Sequence, residues 1–236
     1  MTSIEAIINR QLRKWELEQR DHADEPEVRP APEPIVTISR QTGSRGSYFG
    51  SRLALKLGYQ RLHREAIDAV CKSSGYRRRI IESLDNRFRN GLELAVETIL
   101  TGQAVDHSDY TRNLCKVVLS MSRLGGVVLM GRGGNFILGP DTGLHIRVVC
   151  PEAKRIENLM KYKGLSHDDA SREIQTSDEN RRHFIQKVFD ADIDDPHNYD
   201  LVLNTAFIDV EELVETTVTA IHGKMDKLMY LDHDPS

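Results

Sequence analysis

The chain has 236 residues, of which 39% are hydrophobic and 29% charged, with a formal net charge of −4 and a pI near 6.1. That length suits one sizeable α/β domain with additions, or two small ones, in an ordinary water-soluble composition. The acidic balance offers nothing to a nucleic-acid backbone and no apolar run is long enough to span a membrane. Three scattered cysteines (Cys71, Cys115, Cys150) suit buried thiols in a reducing cytoplasm better than a metal site or a disulfide framework.

Residues 1–20 read as an N-terminal amphipathic helix, with Ser3 as the expected N-cap and Ile4, Ile7, Ile8, Leu12 and Trp15 on one face. That face could pack on the chain's own domain, which is the commoner use of such a stripe, or hold a partner or a second copy of the chain. Residues 21–34, acidic and carrying four prolines, are expected to be an extended linker. The main domain then opens on Ile35, Val36 and Ile38, a short β-branched strand. Thr42-Gly43-Ser44-Arg45-Gly46-Ser47 follows directly, and after it a helix carrying Phe49, Leu53, Leu55 and Leu57.

Strand, glycine-bearing turn and helix in succession make an anion cradle, because the turn aims N–H groups into one concavity and the helix adds the positive end of its dipole. Gly43, Ser44, Arg45, Gly46 and Ser47 are therefore the candidate phosphate-binding residues. The motif departs from GxxxxGK[ST]: Gly46 and Tyr48 stand where lysine and threonine are wanted, leaving Arg40 and Arg45 as the nearby cations. Taken alone, the stretch is equally a ligand-free βα turn.

Gly58 is a natural C-cap before a strand at 59–62. Helical periodicity continues over 63–76, through the Arg77-Arg78-Arg79 cluster and over 92–100. The three arginines are a solvated face or, less commonly, a grip on a substrate phosphate. A helix at 110–124 ends at Gly125-Gly126, and Val127 to Met130 forms a fully apolar strand of the kind found at the centre of a parallel sheet. Gly131-Arg132-Gly133-Gly134-Asn135 follows at its C-terminal end, where open parallel sheets bind ligands, so Arg132 can reach into a site. A strand at 144–150, a helix at 152–163 and a charged helical stretch from Ser166 through Asp178-Glu179-Asn180-Arg181-Arg182 form a basic-rich pair, read as a lid over about 152–192 or as a solvated hairpin. A fifth strand (199–204), a closing helix (209–222) and an unassigned tail (223–236) complete the chain. The order predicts one parallel sheet flanked by helices with right-handed crossovers.

Together VTISRQTGSRGSYFGSRLALKLG, MGRGGNFIL, RIENLMKYKG, DENRR and DPHNYDLVLNT, in that order and spacing, resemble the cytidylate kinase-like members of the nucleoside monophosphate kinase group. The resemblance covers Ile35 to about Ile221. It implies an α/β, three-layer P-loop kinase-like fold with a five-stranded parallel sheet and a helical lid, residues 35–222 forming the kinase-like domain. It also implies ATP and Mg2+ as cofactors, with no protein metal ligand identified, and a nucleoside monophosphate such as CMP as acceptor. By residue, it implies donor phosphates on Gly43–Ser47, Arg132 near the acceptor, and Arg155 and Arg181 as lid arginines serving transfer. The loop lysine and the two aspartates flanking Gly131-Arg132 in the family pattern are here Gly46, Met130 and Gly133, which raises a second reading, a nucleotide-sensing regulatory module without turnover.

Overall fold

The computed structural model describes residues 4–21, 33–84, 86–102 and 104–231. Ser3 and most of the proline-rich linker lie outside them. Five short strands, β1 (Val36–Arg40), β2 (Gln60–Leu62), β3 (Val127–Met130), β4 (Leu144–Val149) and β5 (Leu201–Asn204), form one parallel sheet in the order β2-β3-β1-β4-β5. β1 is central: Val36 stands opposite Val128 on one side and Leu144 on the other. Side chains alternate across the sheet, as the pleat requires. Val36, Ile38, Val128, Met130, Ile146 and Val148 face α2 (Gly46–Leu57) and α10 (Val210–Leu231), meeting Phe49, Leu53 and Leu213. Ile35, Val127 and Leu129 face the other way, into a larger core built with α1 (Ile4–Asp21), α3 (Arg64–Lys72), α5 (Asn86–Gly102) and α6 (Asp109–Leu124). This is the expected three-layer fold.

The stripe on α1 is used within the chain. Ile8, Leu12 and Trp15 are buried in the larger core, and Trp15 Nε1–H donates to the Gly125 carbonyl at 3.1 Å. The arginine cluster serves the same docking: Arg79, on α4 (Ser74–Glu82), donates through Nε and Nη2 to Glu16 Oε1 at 3.0 and 2.8 Å and through Nη1 to Asn9 Oδ1 at 3.0 Å. The expected helix over 63–76 is two helices, because Ser73 leaves the helical region (φ −92°, ψ 114°) and its hydroxyl caps α4 by accepting from the Tyr76 N–H. The closing helix does not stop at His222; it runs on to Leu231, with Ile221 buried against the sheet.

Two helices, α8 (Glu152–Lys163) and α9 (His167–Phe189), follow β4, and a five-residue helix α7 (Gly134–Leu138) follows β3. Gly164 ends α8 in the left-handed region and Ser166 caps α9 by accepting from the Asp169 N–H. Ile156, Leu159, Ala170 and Ile174 join the pair in a small apolar cluster of its own. The C-terminal part of α9 sinks into the main core through Ile185, Val188 and Phe189, so the pair is anchored at its base.

Candidate functional site

The turn after β1 is held from several sides. Ser44 N–H and Oγ–H both donate to the Gln41 carbonyl (3.3 and 2.8 Å), Ser44 Oγ accepts from Gly46 N–H at 3.3 Å, and Thr205 Oγ1–H, just past β5, donates to the Ser44 carbonyl at 2.7 Å. Gly43 (φ 78°) and Arg45 (φ 58°) make the left-handed bends, and α2 starts at Gly46. The Arg45 guanidinium lies over the rings of Tyr48 (4.9 Å) and Tyr162 (5.8 Å). Ser47 directly follows Gly46, so the hydroxyl that the motif places after its lysine is present. The expectation that Tyr48 displaces it was one position out.

Two cavities open at the C-terminal edge of the sheet. One, of about 620 Å3, lies between the turn and the lid pair and is lined by Gly43, Arg45, Gly46, Ser47, Asn158 and Tyr162 among others. The other, of about 370 Å3, lies beyond the ends of β1 and β3 and is lined by Arg64, Glu65, Arg132, Asn135, Phe136 and Phe184 among others. Arg40, Ser177 and Arg181 line both.

Arg40 explains the missing lysine. Its side chain passes over Gly46, where an added Cβ would fall 2.6 Å from Arg40 Cβ and 3.1 Å from Cγ. Its Nη1 reaches Gly131, where an added Cβ would lie 2.9 Å from it. No side chain fits at position 46 while Arg40 holds this course. Burial, and then the nearby Arg181 charge, lower the Arg40 pKa to about 10, which leaves it cationic at neutral pH. Among the described residues its buried Nε has no hydrogen-bond partner.

Arg181, on α9, donates through Nη1 to Thr42 Oγ1 (2.5 Å) and Asp178 Oδ1 (2.8 Å); burial lowers its pKa although Asp178 opposes the shift. Arg155, at the start of α8, lines neither of the two cavities. It is buried, with Nη1 donating to Asp178 Oδ2 (2.5 Å) and to the Thr42 carbonyl (3.3 Å), and so braces the turn from behind. Arg132 (φ 60°) makes a two-point pair with Asp68 of α3, its Nε donating to Oδ1 at 2.7 Å, and lies over the Phe184 ring at 4.9 Å. Burial alone would lower its pKa, but the Asp68 and Tyr110 contacts outweigh that and raise it. Sequence reading missed Thr42, Asp68 and Asp178. The signals for Asp178 were its i, i+3 spacing from Arg181 and its place in the DENRR stretch, since its other partners are distant in sequence.

A parallel sheet in this order, with a glycine-bearing turn after its central strand and a helical pair over that turn, is a three-layer α/β fold of the P-loop kinase-like kind. The same architecture recurs in the crystal structure of an uncharacterized protein from Eubacterium ventriosum, at 17% identity and a TM-score of 0.62, covering 81% of this chain and 99% of that one. The description Cytidylate kinase-like family matches residues 35–206, and the chain belongs to that family. Among curated proteins it is 24% identical to the cytidylate kinase of Ignicoccus hospitalis over 77% of this chain and 95% of that one. It is also 34% identical over 113 residues to a protein of Corynebacterium glutamicum named uronate isomerase, a stretch covering 48% of this chain but only 22% of that protein's length.

Proposed function

We propose that this protein transfers the γ-phosphoryl group of ATP to a nucleoside monophosphate such as CMP. The observation that carries this reading is that the two cavities share Arg40 and Arg181, so a donor on the turn and an acceptor beyond β3 would meet between two guanidinium groups. Phosphoryl transfer needs little from a protein besides alignment and positive charge where the equatorial oxygens develop theirs. An oxygen of the acceptor phosphate attacks the γ-phosphorus, the bond to the β-phosphate bridging oxygen breaks, and ADP leaves carrying that electron pair. Arg40 takes the role of the absent loop lysine, with its planar fork aimed from the strand rather than from the helix. Arg132, held by Asp68, faces the acceptor.

In this reading ATP occupies the larger cavity, which backbone, Ser47 and the start of α2 border and to which Arg40 and Arg45 supply charge. Among the described residues no three histidines, cysteines or carboxylates are grouped to hold a metal. Magnesium would therefore come with the nucleotide, held by phosphate oxygens, water and the Ser47 hydroxyl, and would neutralise phosphate charge.

The second reading, a nucleotide-sensing module without turnover, is favoured by Gly46 at the lysine position and by Met130 and Gly133 at the two aspartate positions. Met130 is buried against α2, and a Cβ on Gly133 would meet the Phe189 ring at 2.4 Å, so neither position can present a carboxylate without repacking. Multiple turnovers by the wild-type chain would remove this second reading, and Arg181→Ala then tests the lid role. Transfer predicts a fall in kcat of about 10²-fold with donor KM little changed. Equal loss of donor binding and turnover would remove the lid role.

A further inference from the structure

Every polar group of Thr42 is taken by the lid pair. Its N–H donates to Asp178 Oδ1 (2.8 Å), its carbonyl accepts from Arg155 Nη1 (3.3 Å), and its hydroxyl accepts from Arg181 Nη1 (2.5 Å). Asp178 lines neither of the two cavities, yet one carboxylate joins three elements: Oδ1 accepts from the turn and from Arg181, Oδ2 from Arg155. Its side chain is 17% exposed, Arg155's 10% and Arg181's 28%. An exposed i, i+3 ion pair contributes little, but a carboxylate shielded from water between two guanidinium groups and a backbone N–H fixes all of them, since removing it leaves buried charge uncompensated.

We propose that Asp178 is a positioning residue which, through Thr42, locks Arg181 to the phosphate turn so that its guanidinium stands at the junction of the two cavities. This rests on the phosphoryl-transfer reading. Geometry sets the function of the lock: Arg181 is a long, flexible side chain, and the two bonds to Asp178 and Thr42 hold its Nη1 between two acceptors. Asparagine cannot reproduce this. Whichever way its amide is turned, an NH2 group faces a donor, either Arg155 Nη1 or the Thr42 N–H and Arg181.

The test combines steady-state kinetics with hydrogen exchange at the Thr42 amide, using the full chain and ATP with each nucleoside monophosphate. Asp178→Asn is expected to lower kcat at least tenfold with donor KM within threefold, and to cut protection of the Thr42 amide at least tenfold. Thr42→Val, which replaces the hydroxyl by a methyl group and leaves the backbone N–H and carbonyl in place, is expected to lower kcat in the same way, and Thr42→Ser to regain most of the loss. Adding Arg181→Ala to Asp178→Asn should cost less than threefold more, because both remove the same placement. Unchanged kcat in Asp178→Asn overturns the proposal and leaves the transfer reading intact. Tighter nucleotide binding by Asp178→Asn also overturns it, since the carboxylate would then be standing in for a phosphate. A wild type that protects Thr42 but turns over no acceptor sinks the transfer reading and the role of Arg181 with it.

Discussion

At position 46 glycine stands where the GxxxxGK[ST] motif has lysine, and the structure couples that departure to the arginine at position 40. The two residues compete for one volume, since a Cβ at 46 would lie 2.6 Å from Arg40 Cβ, an atom too close to the backbone to swing away. Gly46→Lys alone is therefore expected to cost about 1–3 kcal/mol of stability by overpacking and to push Arg40 off its course. Arg40→Gly alone removes the junction cation and is expected to lower kcat about 10²-fold. The double variant Arg40→Gly/Gly46→Lys restores the ordinary arrangement and should recover at least tenfold over Arg40→Gly. Additive losses in the double variant would show that the positions are independent. Sequence reading identified Arg40 and Arg45 as cations near the turn, because charge and position relative to a motif are local properties, whereas Arg181 was marked only by the resemblance of the DENRR stretch. It did not find that Arg155 braces rather than faces the site, nor that Thr42 and Asp178 meet, because those contacts join positions 113 and 136 residues apart.

Among the helices, α1 was legible as an amphipathic element from the spacing of Ile8, Leu12 and Trp15, but its partner was not, since periodicity marks a buried face without saying what covers it. Here the covering surface is the chain's own α3 and the Gly125 turn, reinforced by Arg79. Trp15 is 2% exposed and loses both packing and an indole hydrogen bond on truncation. Trp15→Ala is expected to cost about 3–5 kcal/mol in urea unfolding. A cost below about 1 kcal/mol would mean that α1 is only loosely docked. The break between α3 and α4 was hidden because serine at position 73 interrupts no hydrophobic period; only its hydroxyl cap ends one helix and begins the next.

For the molecule as a whole, the strand–helix alternation and the fully apolar Val127–Met130 run made the parallel sheet readable, whereas its internal polar ties were not. His145, on β4, is buried with Nε2–H donating to the Gly139 carbonyl (2.7 Å) and Nδ1 accepting from Thr37 Oγ1 of β1 (2.8 Å). Burial lowers its pKa; the Gly139 bond and Asp200 oppose the shift and Lys224 adds to it. A folded-state pKa below the unfolded value of about 6.5 means that protons favour the unfolded chain. This contribution is complete above that pH and is lost as pH falls through it. The wild-type Tm should therefore drop more between pH 7.5 and 5.5 than that of His145→Asn; equal drops would assign the acid sensitivity elsewhere. The same sheet places both cavities at one edge, where they would cooperate in phosphoryl transfer. The most direct measurement is a coupled turnover assay of the purified chain with ATP, magnesium and each nucleoside monophosphate in turn. Multiple turnovers with at least one acceptor are expected, and binding of ATP without turnover for any of them would rule phosphoryl transfer out.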